Sequence, residues 1–314
     1  MARCLVTGGA GFIGSHLVDA LVGAGHEVTV IDNLFTGRKE NLEASFDRIR
    51  FVLGDIRDVE TLKDCMEGQD FVFHLAAIPS VQRSLADPLG TASVNVMGTL
   101  NVLVCARDAR VKKVIFASSS SVYGDTKTFP EVETLPVNPL SPYACSKASC
   151  EMFCRVFSSI YDMEVVSLRF FNVFGPRQDP HSEYSAVIPK FISALLQGRP
   201  PVVFGTGEQS RDFCYVENVV RANILAMEAK GVSGKTFNVA CGETHSLLEL
   251  LAHLQEITGC RVSPQFAPPR KGDVPRSHAS IDAISKALNY KVFVSFREGL
   301  ERTVAWYKSL LASH

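Results

Sequence analysis

Gly8-Gly9-Ala10-Gly11-Phe12-Ile13-Gly14 follows the apolar run Arg3 to Thr7 and opens a segment of helical periodicity, and a second β-branched run, Glu27 to Asp32, comes after it. Strand, glycine turn, helix and strand make one βαβ unit, whose two strands must lie parallel. The same alternation continues outward: Arg50 to Asp55, Phe71 to Ala76 and Lys113 to Ser119 read as strands with helical segments between them. This predicts an α/β fold, a doubly wound parallel sheet covered by helices on both faces, with ligands at the carboxyl ends of its strands.

Gly8, Gly11 and Gly14 stand in a Gly-x-x-Gly-x-x-Gly pattern. Without side chains the backbone can approach a pyrophosphate closely, and Phe12 and Ile13 begin a helix whose free N–H groups and partial positive charge favour an anion. A glycine triplet alone is weak evidence, but here strand and helix flank it as a dinucleotide (Rossmann) site requires. Asp32, eighteen residues past Gly14 and followed by Asn33, can accept hydrogen bonds from ribose hydroxyls and would repel a 2′-phosphate, so NAD is favoured over NADP. Arg38, the nearby cation, reads as a solvated loop residue. Asp55 and Ile56, and Leu75, Ala76 and Ala77, fall at the next strand ends, placed to line the adenine and pyrophosphate groove.

Ser141-Pro142-Tyr143-Ala144-Cys145-Ser146-Lys147 reads as a helix start, with Ser141 the N-cap and Pro142 in the first turn. Tyr143 and Lys147 then leave one helix face a turn apart. A free phenol titrates near pH ~10, and a neighbouring cation favours the phenolate, giving a base usable near neutrality. The spacing is common in ordinary helices and gains meaning only beside the glycine loop.

Glu164 to Phe171 resembles another sheet strand. Asn172 to Arg211 is rich in Gly, Pro and polar residues around one helix, Ala186 to Gln197, and is expected to leave the sheet. Phe213 to Lys230 and Phe237 to Ala240 resume helix and strand, and Ser246 to Gly259 reads as an amphipathic helix outside the sheet. The expected organisation is a dinucleotide-binding domain over 1–171, rejoined at about 212–240, and a smaller discontinuous substrate-binding domain over 172–211 and 241–314. The 314 residues are 46% apolar with net charge -1, enough for a sizeable core and without the basic excess that nucleic acid would require. No stretch approaches eighteen apolar residues and no signal peptide is legible, so no membrane association is expected and the cytoplasm is the expected location. The nine cysteines show no Cys-x-x-Cys pair and no His at zinc spacing, so reduced thiols and no metal are expected. His16 and His74, in apolar stretches, read as core residues.

With the glycine loop, Asp32, the strand end Ser118-Ser119-Ser120-Ser121-Val122-Tyr123-Gly124, and Tyr143 with Lys147, the sequence closely resembles the extended short-chain dehydrogenase/reductases over nearly its whole length. Arg169 to Gln178, Ser210-Arg211-Asp212-Phe213 and Arg270-Lys271-Gly272-Asp273-Val274 look like the nucleotide-sugar branch, of the UDP-hexose 4-epimerase type. The resemblance implies Asn172 and Arg211 on the diphosphate, Val187, Lys190 and Phe204 around the uridine, Arg270 and Asp273 on phosphate and ribose, and Ser80, Ser119 and Ser120 near the sugar. It also implies a catalytic set of Ser119, Tyr143 and Lys147, and a homodimer paired through helices near Gly90 to Asp108 and Pro142 to Tyr161; the alternative is that those apolar faces are internal core.

Similar dehydratases and decarboxylases carry carboxylates just before the position of Tyr123, where this chain has Ser120 and Ser121. Without a base for the C5 proton, oxidation at C4 and return of the hydride is the expected chemistry. Ser277 occupies the position that, by resemblance, sets the room at the sugar's C2, and a serine there leaves space for an acetamido group. The neighbouring sequence looks most like UDP-N-acetylglucosamine 4-epimerases, departing at Ile78-Pro79-Ser80, where Pro79 would stiffen a wall. The expected substrates are UDP-GlcNAc and UDP-GalNAc, with UDP-glucose and UDP-galactose as a second pair; the alternatives are a UDP-glucuronate 4-epimerase and a non-catalytic dinucleotide-binding protein.

Overall fold

Seven strands carry the apolar runs: β1 (Arg3–Thr7), β2 (Glu27–Asp32), β3 (Ile49–Leu53), β4 (Phe71–His74), β5 (Lys113–Ser119), β6 (Glu164–Phe170) and β7 (Thr236–Val239). In the computed structural model, which describes residues 1–179, 186–269 and 274–312, they form one sheet in the order β7-β6-β5-β4-β1-β2-β3. Every pair is parallel. β3 and β4 end before the bounds read from the sequence, because the chain turns away at Gly54 and at Leu75. The order reverses between β1 and β4, and the crevice that such a reversal opens lies beyond the carboxyl ends of these two strands.

Successive residues of a strand point to opposite faces. Cys4, Val6, Val30 and Ile115 join Leu17 and Leu21 of the helix Phe12–Gly23 in one apolar cluster. Leu5, Ile31, Val114 and Phe116 join Leu62, Leu103 and Cys150 in another. Both faces are covered, which is why the strands read as nearly unbroken apolar runs. Cys150 and Cys154 are fully buried among apolar neighbours.

Beyond β6, and apart from β7, the strands of the described residues form two-stranded pairs: Val173–Phe174 with Cys214–Tyr215, Val202–Phe204 with Gln265–Ala267, and Ser210–Arg211 with His245–Ser246. With helices Val187–Leu196, Leu247–Thr258 and Phe296–Ala312 they enclose a separate core that includes Phe174, Phe191, Leu250 and Leu300. Between its two visits to that core the chain returns to the sheet through helix Val216–Glu228, whose Val219 and Ala222 pack on the sheet cluster, and through β7.

One run departs from the sequence reading. Pro88–Asp108 is helical throughout, with a π-helical turn at Ser93–Met97, and is long and apolar enough to cross a membrane by length and composition, at a mean hydropathy of 1.5. Asn95, Thr99, Val102 and Leu103 are buried within the protein while Leu89 and Met97 are exposed. An inward stripe plus a few outward apolar residues accounts for its composition.

Candidate active site

The glycine loop is held open by close approach of backbone. Gly8 has φ +72°, and a Cβ there would stand 2.7 Å from the Ala76 nitrogen; one on Gly14 would stand 2.2 Å from the Gly8 carbonyl oxygen. Neither position accepts a side chain. Gly11 is the N-cap of helix Phe12–Gly23, and no side chain caps its first turn, so the amides of that turn face the cleft with their partial positive charge unopposed.

This cleft has a volume of about 1700 Å³ and is lined by Gly8, Gly11, Phe12, Ile13 and Gly14, by Asp32 and Asn33, by Asp55 and Ile56, by Leu75, Ala76 and Ala77, and by Tyr143 and Lys147. All residues expected at the cofactor are thus brought together. Asp32 is buried, its Oδ2 accepting from the Ala10 N–H at 2.9 Å and its Oδ1 from the Leu34 N–H at 2.8 Å. Burial raises its pKa, and these two amides oppose the rise. Each oxygen keeps a lone pair for a ribose hydroxyl. Asp55 is tied instead to Arg57, which donates from its side chain at 2.9 and 2.8 Å, and to Asn33 Nδ2 at 2.9 Å; the guanidinium holds its carboxyl down at about 2. Arg38 pairs with Asp179 at 3.0 Å across the mouth of the cleft.

A smaller cavity of about 380 Å³ adjoins the cleft and shares Tyr143, Ser118 and Pro79 with it. Ser119 and Ser120, at the carboxyl end of β5, line it, as do Asn172, Arg211 and Ser277. Ser141 caps the helix Pro142–Ile160 by accepting the Ala144 N–H at 3.1 Å, with Pro142 in the first turn, as the sequence implied. That places Tyr143 where the two cavities meet. Asn172, at φ +35°, donates from Nδ2 to the Asp212 carbonyl at 2.9 Å and to Ser277 Oγ at 3.3 Å.

The electrostatics of the pair differ from expectation. Burial raises the Tyr143 phenol, and the Ser119 hydroxyl hydrogen-bonded to it opposes that rise. Lys147 is almost fully buried and donates from Nζ to the Ala117 carbonyl at 2.7 Å, and burial lowers it to about 8. Its ammonium is engaged by β5 and does not hold the phenol below its usual range.

Other expectations separate. Ser80 caps the helix Val81–Ala86, accepting the Arg83 N–H at 3.1 Å, and lines the cleft rather than the smaller cavity, where Pro79 and Val81 stand. Val187, Lys190 and Phe204 line neither cavity; Val187 packs against the smaller domain's core, and Ala186 beside it reaches both. Arg270 and Asp273 lie outside the described residues. His74 is buried between Thr7 and Thr99 at 2.7 and 2.9 Å, is lowered by burial to about 3 and is a core group, whereas His16, at 3.0 Å from the Pro176 carbonyl and lowered by burial to about 4, is only partly buried.

Two polar groups of the smaller cavity escaped the sequence reading. Ser121 Oγ is buried there with no hydrogen-bond partner. Glu131 lines the same wall, 3% exposed. It sits in a Pro- and Glu-containing loop that looks solvated, and its bridge to Ala279 with hydrogen bonds from His278 and Asn238 holds it inward.

The model of the NAD dependent epimerase/dehydratase family matches residues 4–240. The chain belongs to that family. NAD is its cofactor, and the side-chain-free glycine cradle, uncapped helix start and buried Asp32 fit that group. Among family members, the UDP-glucose 4-epimerase of Mycolicibacterium smegmatis is 41% identical over 311 residues, spanning 98% of this chain and 99% of that protein. The solved UDP-N-acetylglucosamine 4-epimerase from Methanobrevibacter ruminantium, in complex with UDP-N-acetylmuramic acid, matches with a TM-score of 0.94 at 41% identity, covering 98% of this chain and 99% of that one. The Thermotoga maritima UDP-glucose 4-epimerase with UDP-glucose matches at 0.95 and 40% identity, with the same coverage.

Proposed function

We propose that the protein is an NAD-dependent 4-epimerase of UDP-hexoses, acting on UDP-GlcNAc and UDP-GalNAc, with UDP-glucose and UDP-galactose as a second pair. The observation that carries this reading is the meeting of the Ser119 hydroxyl and the Tyr143 phenol where the glycine-lined cleft opens into the smaller cavity. The names of the relatives support it.

NAD held by the glycine loop, Asp32 and Lys147 would supply the hydride acceptor for C4 and the donor for the return to the other face of the sugar. Tyr143 accepts the proton of the 4-hydroxyl and later gives it back, while Ser119 hydrogen-bonds the same oxygen. Lys147 spends one ammonium proton on Ala117 and keeps two for ribose hydroxyls. Since burial raises the phenol and Ser119 only opposes that rise, the further lowering a base needs would come from the positive charge of the oxidised cofactor. Tyr143 and Ser119 are fixed to a helix and a strand end, so the sugar must turn between the two hydride transfers. Asn172 and Arg211 would anchor the diphosphate as it does so.

Relatives of 41% and 40% identity carry the names of UDP-GlcNAc and UDP-glucose epimerases, so the choice between them rests on the pocket wall. Ser277, 5% exposed on that wall, leaves the space an acetamido group needs. A homodimer is part of the proposal: Leu89 and Met97 on one helix run, and Met152, Val156 and Ile160 on the helix Pro142–Ile160, are exposed apolar residues of the kind a partner covers. Product analysis after separate incubation with UDP-GlcNAc, UDP-glucose and UDP-glucuronate tests the reading. Substrate deuterated at C4 should keep its label in the product, and loss of label to solvent would refute the hydride route.

A further inference from the structure

Glu131 and Ser121 face the smaller cavity with hydrogen-bonding capacity that no described protein group fills. The Ser121 hydroxyl is buried and unpartnered, and of the two Glu131 carboxylate oxygens only Oε2 accepts, from the His278 N–H at 2.9 Å. The backbone around Glu131 is pinned: its N–H donates to the His278 carbonyl at 2.6 Å, and its own carbonyl accepts from Ser280 N and Asn238 Nδ2, each at 2.9 Å. The Glu131 side chain, 3% exposed, is thereby held at the cavity wall.

Resting on the epimerase reading, we infer that Glu131 is a specificity-determining residue that admits neutral hexoses and rejects hexuronates. With the 4-oxygen held at Ser119 and Tyr143 and the diphosphate at Asn172 and Arg211, the sugar turns about the line joining those two ends. Half a turn exchanges the C2–C3 edge of the ring with the C5–C6 edge. Whichever edge meets Glu131 in one half-reaction, the other edge meets it in the next. A neutral hexose presents hydroxyl donors on both edges, and an N-acetylhexosamine adds an amide N–H, all of which a carboxylate can accept. A hexuronate brings its C6 carboxylate to Glu131 at one of the two stages, where the burial of the Glu131 carboxylate strengthens like-charge repulsion.

The charged groups that bear on Glu131 are Asp212 and Arg211; Glu133 is turned to the Asn238 N–H, and the His278 ring lies against the Gly242 carbonyl and Arg276. Burial lifts the Glu131 carboxyl to about 7, the His278 N–H opposes this, Asp212 adds to it and Arg211 lowers it. Protonation at acid pH therefore removes the repelling charge.

The test compares kcat/KM for UDP-glucuronate and UDP-glucose, and their dissociation constants by calorimetry, in the NAD-loaded wild type and in Glu131→Gln, whose shape is nearly unchanged. The ratio of UDP-glucuronate to UDP-glucose should rise at least about tenfold in the variant, in binding or in turnover. In the wild type alone it should rise as the pH is taken from about 8.5 to about 5.5, which tests the charge even if the variant fails to fold. An unchanged ratio in these comparisons overturns the inference. So does a 4-keto-6-deoxy product that Glu131→Gln abolishes, since the carboxylate would then be a base. Wild type inactive on every neutral UDP-hexose would sink the epimerase reading instead, while the dissociation constants would still judge Glu131.

Discussion

Lys147 donates its ammonium proton to the Ala117 carbonyl at 2.7 Å, so the cation four residues from Tyr143 is anchored to β5 at the strand end that carries Ser119. The lysine is thereby a fixed post between strand and cofactor, and the tyrosine is left to be tuned by what binds. Tyr143→Phe removes only the ionisable oxygen. It should lower kcat by about 10²- to 10⁴-fold, with NAD retained and the thermal midpoint little changed. Lys147→Met should in addition weaken NAD retention, read by cofactor released on gel filtration. Near-normal turnover of Tyr143→Phe at saturating substrate would remove it as the base.

Glu131 carries a cost to stability that depends on pH. Its folded pKa of about 7 lies above that of a free Glu, ~4.3. The folded state holds the proton more tightly, so the group's contribution is fully present below pH ~4 and is lost as pH rises through about 7. Glu131→Gln keeps an oxygen for the His278 N–H without this loss. It should be more stable than wild type at pH 8 by roughly 1–3 kcal/mol, with the difference shrinking toward pH 5 in denaturant titrations. An equal difference at both pH values would mean that the carboxyl does not titrate there.

What the sequence disclosed follows from range. The doubly wound parallel sheet could be anticipated because strands buried on both faces write their apolar runs locally, and Gly8, Gly14 and Asp32 were legible because turn, helix start and strand end are adjacent in the chain. Glu131 was not: the His278 N–H that fixes its carboxylate is 147 residues away, and an acidic loop residue carries no sign of being drawn inward. The state of Tyr143 was misread for a different reason. Spacing places Lys147 near it, but burial acts on both groups and opposes the charge that each would carry. Ser80 shows a third limit, since a short hydroxyl before a helix is as apt for capping as for binding.

Met152, Val156 and Ile160 are exposed on one helix, and the homodimer reading requires a partner to cover them. The double substitution Val156→Glu and Ile160→Lys changes residues away from both cavities. Light scattering should give a dimer for the wild type and a monomer for the variant, with far-UV dichroism unchanged. A wild type that is monomeric at tens of micromolar, or a variant that stays dimeric, would take these helices out of the interface.

Ser277 lies 3.3 Å from Asn172 Nδ2, accepting its hydrogen bond on the wall of the smaller cavity. Ser277→Tyr fills the space assigned to the acetamido group and also crowds Asn172, so both substrates should lose some turnover. The N-acetylated one should lose more. Overpacking a close-fitted site costs ~1–3 kcal/mol, and each 1.36 kcal/mol is about tenfold in rate, so the ratio of kcat/KM for UDP-GlcNAc to that for UDP-glucose should fall by roughly ten- to more than a hundredfold. The ratio is the decisive quantity because a general loss through Asn172 cancels in it. If the two rates fall together, Ser277 does not face C2, and the preference for UDP-GlcNAc loses its physical support.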